Sequence, residues 1–93
     1  MVFTSVRTGT DPAGYDATAA RMRELAARQP GYLGMESAHG DVGITVSYWA
    51  DDDAARAWKE VAEHLGAQRL GRQRWYSHYR VRVATVSRDY GAP

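Results

Sequence analysis

The chain has 93 residues, 44% hydrophobic and 25% charged, enough for one small domain over residues 1–93, which excludes a second core and wholesale disorder. It has no cysteine, which excludes disulfides, thiolate nucleophiles and Cys-based metal sites. The net charge of +1 is unevenly spread: Met1 to Leu65 holds six Arg/Lys against ten Asp/Glu, while Gly66 to Pro93 holds six Arg and the single acid Asp89. A basic section with aromatics mixed in suits an anionic ligand or nucleic acid; the plainer reading, which we take, is a solvated surface around a C-terminal strand, paired to the acidic first half.

Val2 to Thr8 alternates and is rich in β-branched residues, the pattern of a strand. Asp11-Pro12 follows as an N-cap with proline in the first helical position. Tyr15, Ala19, Met22 and Ala26 then recur at helical spacing with Leu25 beside them, and Arg21, Arg23, Glu24 and Arg28 take the other side, which predicts an amphipathic helix of about four turns. Gln29-Pro30-Gly31 stops it. Tyr32 to His39 reads as a second strand, Gly40-Asp41 as a tight turn, and Val42 to Trp49 as a third strand with Val42, Ile44, Val46 and Tyr48 on one face and Thr45, Ser47 and Trp49 on the other.

Asp51-Asp52-Asp53 supplies a cap and negative charge at the start of a second helix, whose buried stripe is Ala54, Trp58, Val61, Ala62 and Leu65. Gly66 to Gln73 is ambiguous between helix and loop. Tyr76 to Ser87 reads as a long fourth strand with Tyr79, Val81, Val83 and Thr85 on one face, and Asp89 to Pro93 as a tail. No basic-then-apolar leader opens the chain, and the longest nearly apolar run, Val42 to Ala50, is too short to span a bilayer, so we expect a cytoplasmic protein with no membrane partner.

The resulting β-α-β-β-α-β order makes an α+β, ferredoxin-like domain: a four-stranded antiparallel sheet with two helices on one face. The other face carries aromatic and β-branched residues that need a cover, and a second copy is the simplest one, so a homodimer is expected. RNA-recognition motifs share the element order. They expect Lys/Arg-Gly-Phe/Tyr-Gly/Ala-Phe on the third strand, and Val42-Gly43-Ile44-Thr45-Val46-Ser47 has none of it, so no nucleic-acid partner is expected.

Gln29-Pro30-Gly31-Tyr32-Leu33-Gly34-Met35-Glu36-Ser37 resembles the helix-to-strand hinge of the antibiotic biosynthesis monooxygenase family. Ile44 to Trp49, a short acidic gap, then Ala57-Trp58-Lys59 and Glu63-His64 is similar to that family's third strand and second helix. The resemblance runs over nearly the whole chain. It implies a dimeric α+β barrel with two sheets face to face and a pocket in each subunit between sheet and helices. It also implies a small monooxygenase acting with O2 on an electron-rich aromatic substrate, without a cofactor. The family's haem-degrading branch carries an Asn on the first strand, a Trp on the second helix and an axial His ten residues later. Trp58 matches the Trp, but Gln68 stands at the His position and the first-strand position falls near Val6. That departure counts against haem breakdown. Haem binding, with His64 as an altered axial ligand, stays as an alternative beside a non-catalytic dimer that binds a small aromatic molecule.

Oxygenation without a cofactor needs an easily deprotonated ring, a dry cavity, a base and donors for the developing oxyanion. His64 is the candidate base, Trp58 the stacking wall, and Gln68 with a tyrosine hydroxyl the donors. Tyr48, Trp75 and Tyr79 are candidate ligand contacts from an aromatic sheet surface, and Arg72 and Arg74 candidate partners of a carboxylate or phenolate. No spacing joins His39, His64 and His78 into a metal centre.

Overall fold

The structure, a computed structural model, describes residues 1–68 and 75–93; the side chains of residues 66–68 are outside the described part. Six elements follow in the expected order: β1 (Val2–Arg7), α1 (Pro12–Ala27), β2 (Tyr32–Ala38), β3 (Gly43–Trp49), α2 (Asp52–Gln68) and β4 (Tyr76–Arg82). The sheet runs β2-β3-β1-β4, and every neighbouring pair is antiparallel. This is the ferredoxin-like order read from the sequence. The fourth strand is shorter than its alternation suggested, because its pairing with β1 ends at Val2 opposite Arg82. Beyond that point the chain has no partner strand to follow.

Both helices begin on an aspartate. Asp11 takes left-handed backbone angles (φ 50°, ψ 61°) and its carboxylate accepts from the Gly14 N–H at 3.2 Å. Aspartate tolerates that conformation better than most residues. Asp51 Oδ1 accepts from the Ala54 N–H at 2.8 Å, satisfying one of the orphan donors of the first turn of α2. Between α1 and β2, Gly31 has φ 82°, and a Cβ there would stand 2.7 Å from the Ala54 methyl. The missing side chain therefore lets the hinge pack flush on the start of α2, and the Ala50 N–H donates to Gly31 O at 2.8 Å.

Pairing sorts the side chains into two faces. Phe3 opposes Thr45 and Val81, and Ser5 opposes Gly43 and Tyr79; Met35 and Ser37 oppose Ser47 and Thr45. These residues face the helices. Val2, Thr4, Val6, Ile44, Val46 and Tyr48 take the opposite face, with Ile44 40% exposed. Among the described residues the buried apolar ones are few, Ala26, Ala55, Trp58 and Trp75, and three hydroxyl residues, Ser5, Thr18 and Ser47, are buried with them.

Candidate functional site

Where a small domain normally packs branched aliphatics between sheet and helices, this one holds a cavity of about 190 Å³. Its floor is a row of hydroxyls from Ser5, Ser37, Thr45 and Ser47, its roof comes from Thr18, Met22, Trp58 and Ala62, and one end is closed by Phe3, Trp75, Tyr76 and Tyr79. His39, Arg23, Lys59 and Glu63 also line it, and all four are exposed. The cavity thus joins apolar walls to a polar floor and a charged rim.

Aromatic contacts hold the walls. Trp58, 5% exposed, stacks on Trp49 with centroids 5.8 Å apart and planes 22° apart. Trp49 is itself fixed by Tyr32, edge-on at 5.6 Å, and by its indole N–H donating to Ser47 Oγ at 2.9 Å. At the closed end Phe3 stacks on Tyr79 at 5.7 Å and meets the Tyr76 ring at 5.4 Å. Tyr15 stands edge-on to Tyr76 and Trp75, and the Arg7 guanidinium lies 3.6 Å from the Tyr15 ring centroid, a cation–π contact. Burial pushes the Tyr76 phenol well above its ordinary range, and its hydrogen bond to Tyr15 pushes it further the same way. The buried Trp75 indole N–H has no acceptor among the described residues; its edge contact with Tyr15 is the neighbour the structure gives it.

Three of the residues expected from the sequence meet at this cavity: Trp58, Trp75 and Tyr79. Two do not. His64 is exposed and lines a shallow groove between α1 and α2 with Arg21, Leu25, Glu60, Val61 and Leu65. The reason is helical phase: at about 100° per residue His64 stands roughly 120° around from Trp58, on the side away from Ala55 and Ala62. Tyr48 lies on the other sheet face, where its hydroxyl donates to Glu36 Oε1 at 2.7 Å, a bond that raises the phenol above its usual value. Gln68 ends α2 but its side chain is outside the described part, and Arg72 and Arg74 lie outside the described residues altogether.

Among the cavity residues that sequence reasoning did not single out for the site are Ser5, Ser37, Thr45 and Ser47, with His39 and Gly43 beside them. Their signal was the polar half of two alternating strands, in which the hydroxyl face rather than the aliphatic face turns to the helices. Among the described residues no group of three His, Asp or Glu comes together to hold a metal, and no helix is long and apolar enough to cross a membrane.

The model of one family, antibiotic biosynthesis monooxygenase, matches residues 1–70. The uncharacterized protein YqjZ of Bacillus subtilis (strain 168) is 49% identical over 91 residues, covering 96% of this chain and 79% of that protein. Among solved structures, SnoaB, a cofactor-independent oxygenase from Streptomyces nogalater, shares the fold with a TM-score of 0.64 at 20% identity, over 94% of each chain.

Proposed function

The chain belongs to the antibiotic biosynthesis monooxygenase family, and from that premise we propose that it is a small cofactor-independent monooxygenase that oxidises a hydroxylated aromatic molecule with O2 in the cavity between sheet and helices. The observation that carries the reading is the cavity itself: aromatic walls at Trp58, Phe3, Tyr76 and Tyr79 over a floor of serine and threonine hydroxyls. Flat rings stack on such walls, and hydroxyls donate to oxygen that gains charge during reaction. The description of SnoaB as a cofactor-independent oxygenase supports the same chemistry.

The reaction needs no external reductant. In a phenol with a free para position, one oxygen atom of O2 enters the ring there as a carbonyl. The ring hydrogen and the hydroxyl hydrogen leave with the second atom as water, and the substrate supplies all four electrons. The protein's part is to bind the ring, exclude water and take the hydroxyl proton.

Volume limits the substrate. An engineered cavity of about 150 Å³ holds one benzene, so 190 Å³ suits one or two rings. A porphyrin with its four pyrroles does not fit that space. His39 is the one histidine among the lining residues, and His64 lies in the groove outside. The haem reading is therefore not favoured. We also propose that the aliphatic sheet face pairs with a second copy, so that the working unit is a homodimer.

The test is oxygen uptake with 1-naphthol. Turnover should consume one O2 per naphthol and give the 1,4-quinone carrying one atom from isotopically heavy O2. Binding of naphthol with no uptake would overturn the oxygenase reading and leave a ligand-binding protein.

A further inference from the structure

We propose that the cavity contains a built seat for the ligand's acidic hydroxyl above Gly43, with Ser5 as its hydrogen-bond donor and His39 as the acceptor of its proton. This rests on the reading of the cavity as the site of an aromatic substrate, and it names the residues that hold the reacting oxygen.

Two adjacent strands and the residue that follows β2 form the seat. Ser5 of β1 pairs with Gly43 of β3, and the β2–β3 register, with Ser37 opposite Thr45 and Ala38 opposite Ile44, brings His39 next to Gly43 from the other side. A Cβ on Gly43 would stand 3.3 Å from Ser5 Oγ and 3.9 Å from His39 Nδ1. The contact to Ser5 is tight, so a side chain at position 43 would press on that hydroxyl; with glycine there the two polar atoms flank a bare stretch of backbone, and all three residues line the cavity.

Glycine is unfavourable within a strand and usually marks a bulge, a bend or the close approach of another group. No bulge interrupts the β1–β3 pairing. Gly43 is also absent from the glycines with positive φ, which are Gly9, Gly31 and Gly34. Its backbone therefore does not require glycine. What glycine supplies here is clearance: a methyl would crowd the Ser5 hydroxyl, whereas the bare backbone lets a ligand approach between a buried hydroxyl and an imidazole.

A phenol oxygen in this space accepts from Ser5, while the exposed His39, with two rotatable side-chain bonds, swings to meet the phenol hydrogen. The O–H bond breaks, the proton passes to the imidazole nitrogen, and the electron pair stays on oxygen as phenolate, held by Ser5. The imidazolium then faces the phenolate and balances its charge. Arg23, Lys59 and Glu63 are the other charged groups lining the cavity; they come from α1 and α2 rather than from the sheet.

The probe is 4-nitrophenol, a single ring whose ionised form is yellow, with nitrobenzene as the control that lacks the hydroxyl. Binding is read without turnover, by tryptophan fluorescence for affinity and by absorbance for ionisation at one fixed pH. Ser5→Ala and Gly43→Ala should each weaken 4-nitrophenol by up to about tenfold, the worth of one hydrogen bond or its displacement, and leave nitrobenzene within about twofold. Bound 4-nitrophenol should be more ionised than free at the same pH, and His39→Asn should abolish that difference. Equal losses for nitrophenol and nitrobenzene in the serine and glycine variants, or unchanged ionisation in His39→Asn, would overturn the seat. Should Gly43→Ala fail to fold by circular dichroism, Ser5→Ala and His39→Asn decide alone. Because these readouts need no O2, a protein that passes them and consumes no oxygen with 1-naphthol refutes the oxygenase reading and leaves the seat standing.

Discussion

Tyr76 carries a proton that the fold defends. Burial and the bond to Tyr15 raise its phenol above the ordinary value of about 10. The sign of the resulting stability follows from linkage. Below the unfolded value both states keep the proton and the stabilisation is fully present. As pH rises through that value the unfolded chain ionises while the folded one does not, so stability falls. Urea midpoints taken at about pH 8 and about pH 11 should therefore drop in the native sequence, and drop less in Tyr76→Phe. An equal drop would place the alkaline sensitivity elsewhere, for instance at Tyr48 and its bond to Glu36. At this scale the sequence was legible where a residue stood on a strong pattern. Trp58 on the stripe of α2 lines the cavity, as expected. His64 stands about a third of a turn from Trp58, an offset that the six-residue spacing itself carries at about 100° per residue, and it lines the groove outside. His39 was invisible because its place depends on register with Gly43 across a hairpin.

The helices and the first three strands were readable nearly to their ends because their stop and start signals are chemical, whereas the fourth strand, read to Ser87, ends at Arg82. Asp11-Pro12, Gln29-Pro30-Gly31 and the run of three aspartates each do what their backbone preferences demand. Asp11 is the more informative cap, since it combines a left-handed backbone with a bond to the Gly14 N–H. Asp11→Ala loses the bond and keeps the strained angles, and should cost about 1 kcal/mol, up to about 2. Asp11→Asn retains both the acceptor and the tolerance of the angles, and should stay close to the native midpoint in urea. A loss as large in the Asn variant would show that the negative charge at the helix start, and not the cap geometry, was the larger contribution. Strand alternation was read correctly in β3, but alternation alone does not say which face meets the helices. Tyr48 shares the face of Ile44 and Val46 as the alternation says, but its choice as a ligand contact needed the other face, the one turned to the helices.

For the whole molecule, the two faces of the sheet divide the work. The hydroxyl face closes over the cavity, and the aliphatic face, with Val2 opposite Val46 and Thr4 opposite Ile44 across β1 and β3 and Val6 beyond them, is left without a cover in a single chain. Light scattering at micromolar concentration should give twice the chain mass. Ile44→Lys places a charge in the middle of that face and should shift the protein to monomer while far-ultraviolet dichroism stays native. A native chain that runs as a monomer would sink the homodimer. Stable interfaces cover about 800 Å² on each partner, and a four-stranded face of this length is of that order.

The cavity has a further consequence for how the molecule keeps its shape. Serine and threonine stand at the centre of the sheet where valine or isoleucine would fill space, and among the described residues no large side chain is wholly sealed from solvent. The protein's own side chains therefore do not fill that interior, and the contacts that branched aliphatics would make there are missing. A guest of the right shape completes that interior, and at a hundredfold excess over its dissociation constant it adds about 2.7 kcal/mol to the folded state. Heat resistance then reports occupancy. A library of small phenols ranked by the melting temperature they confer becomes a direct survey of what this protein evolved to hold.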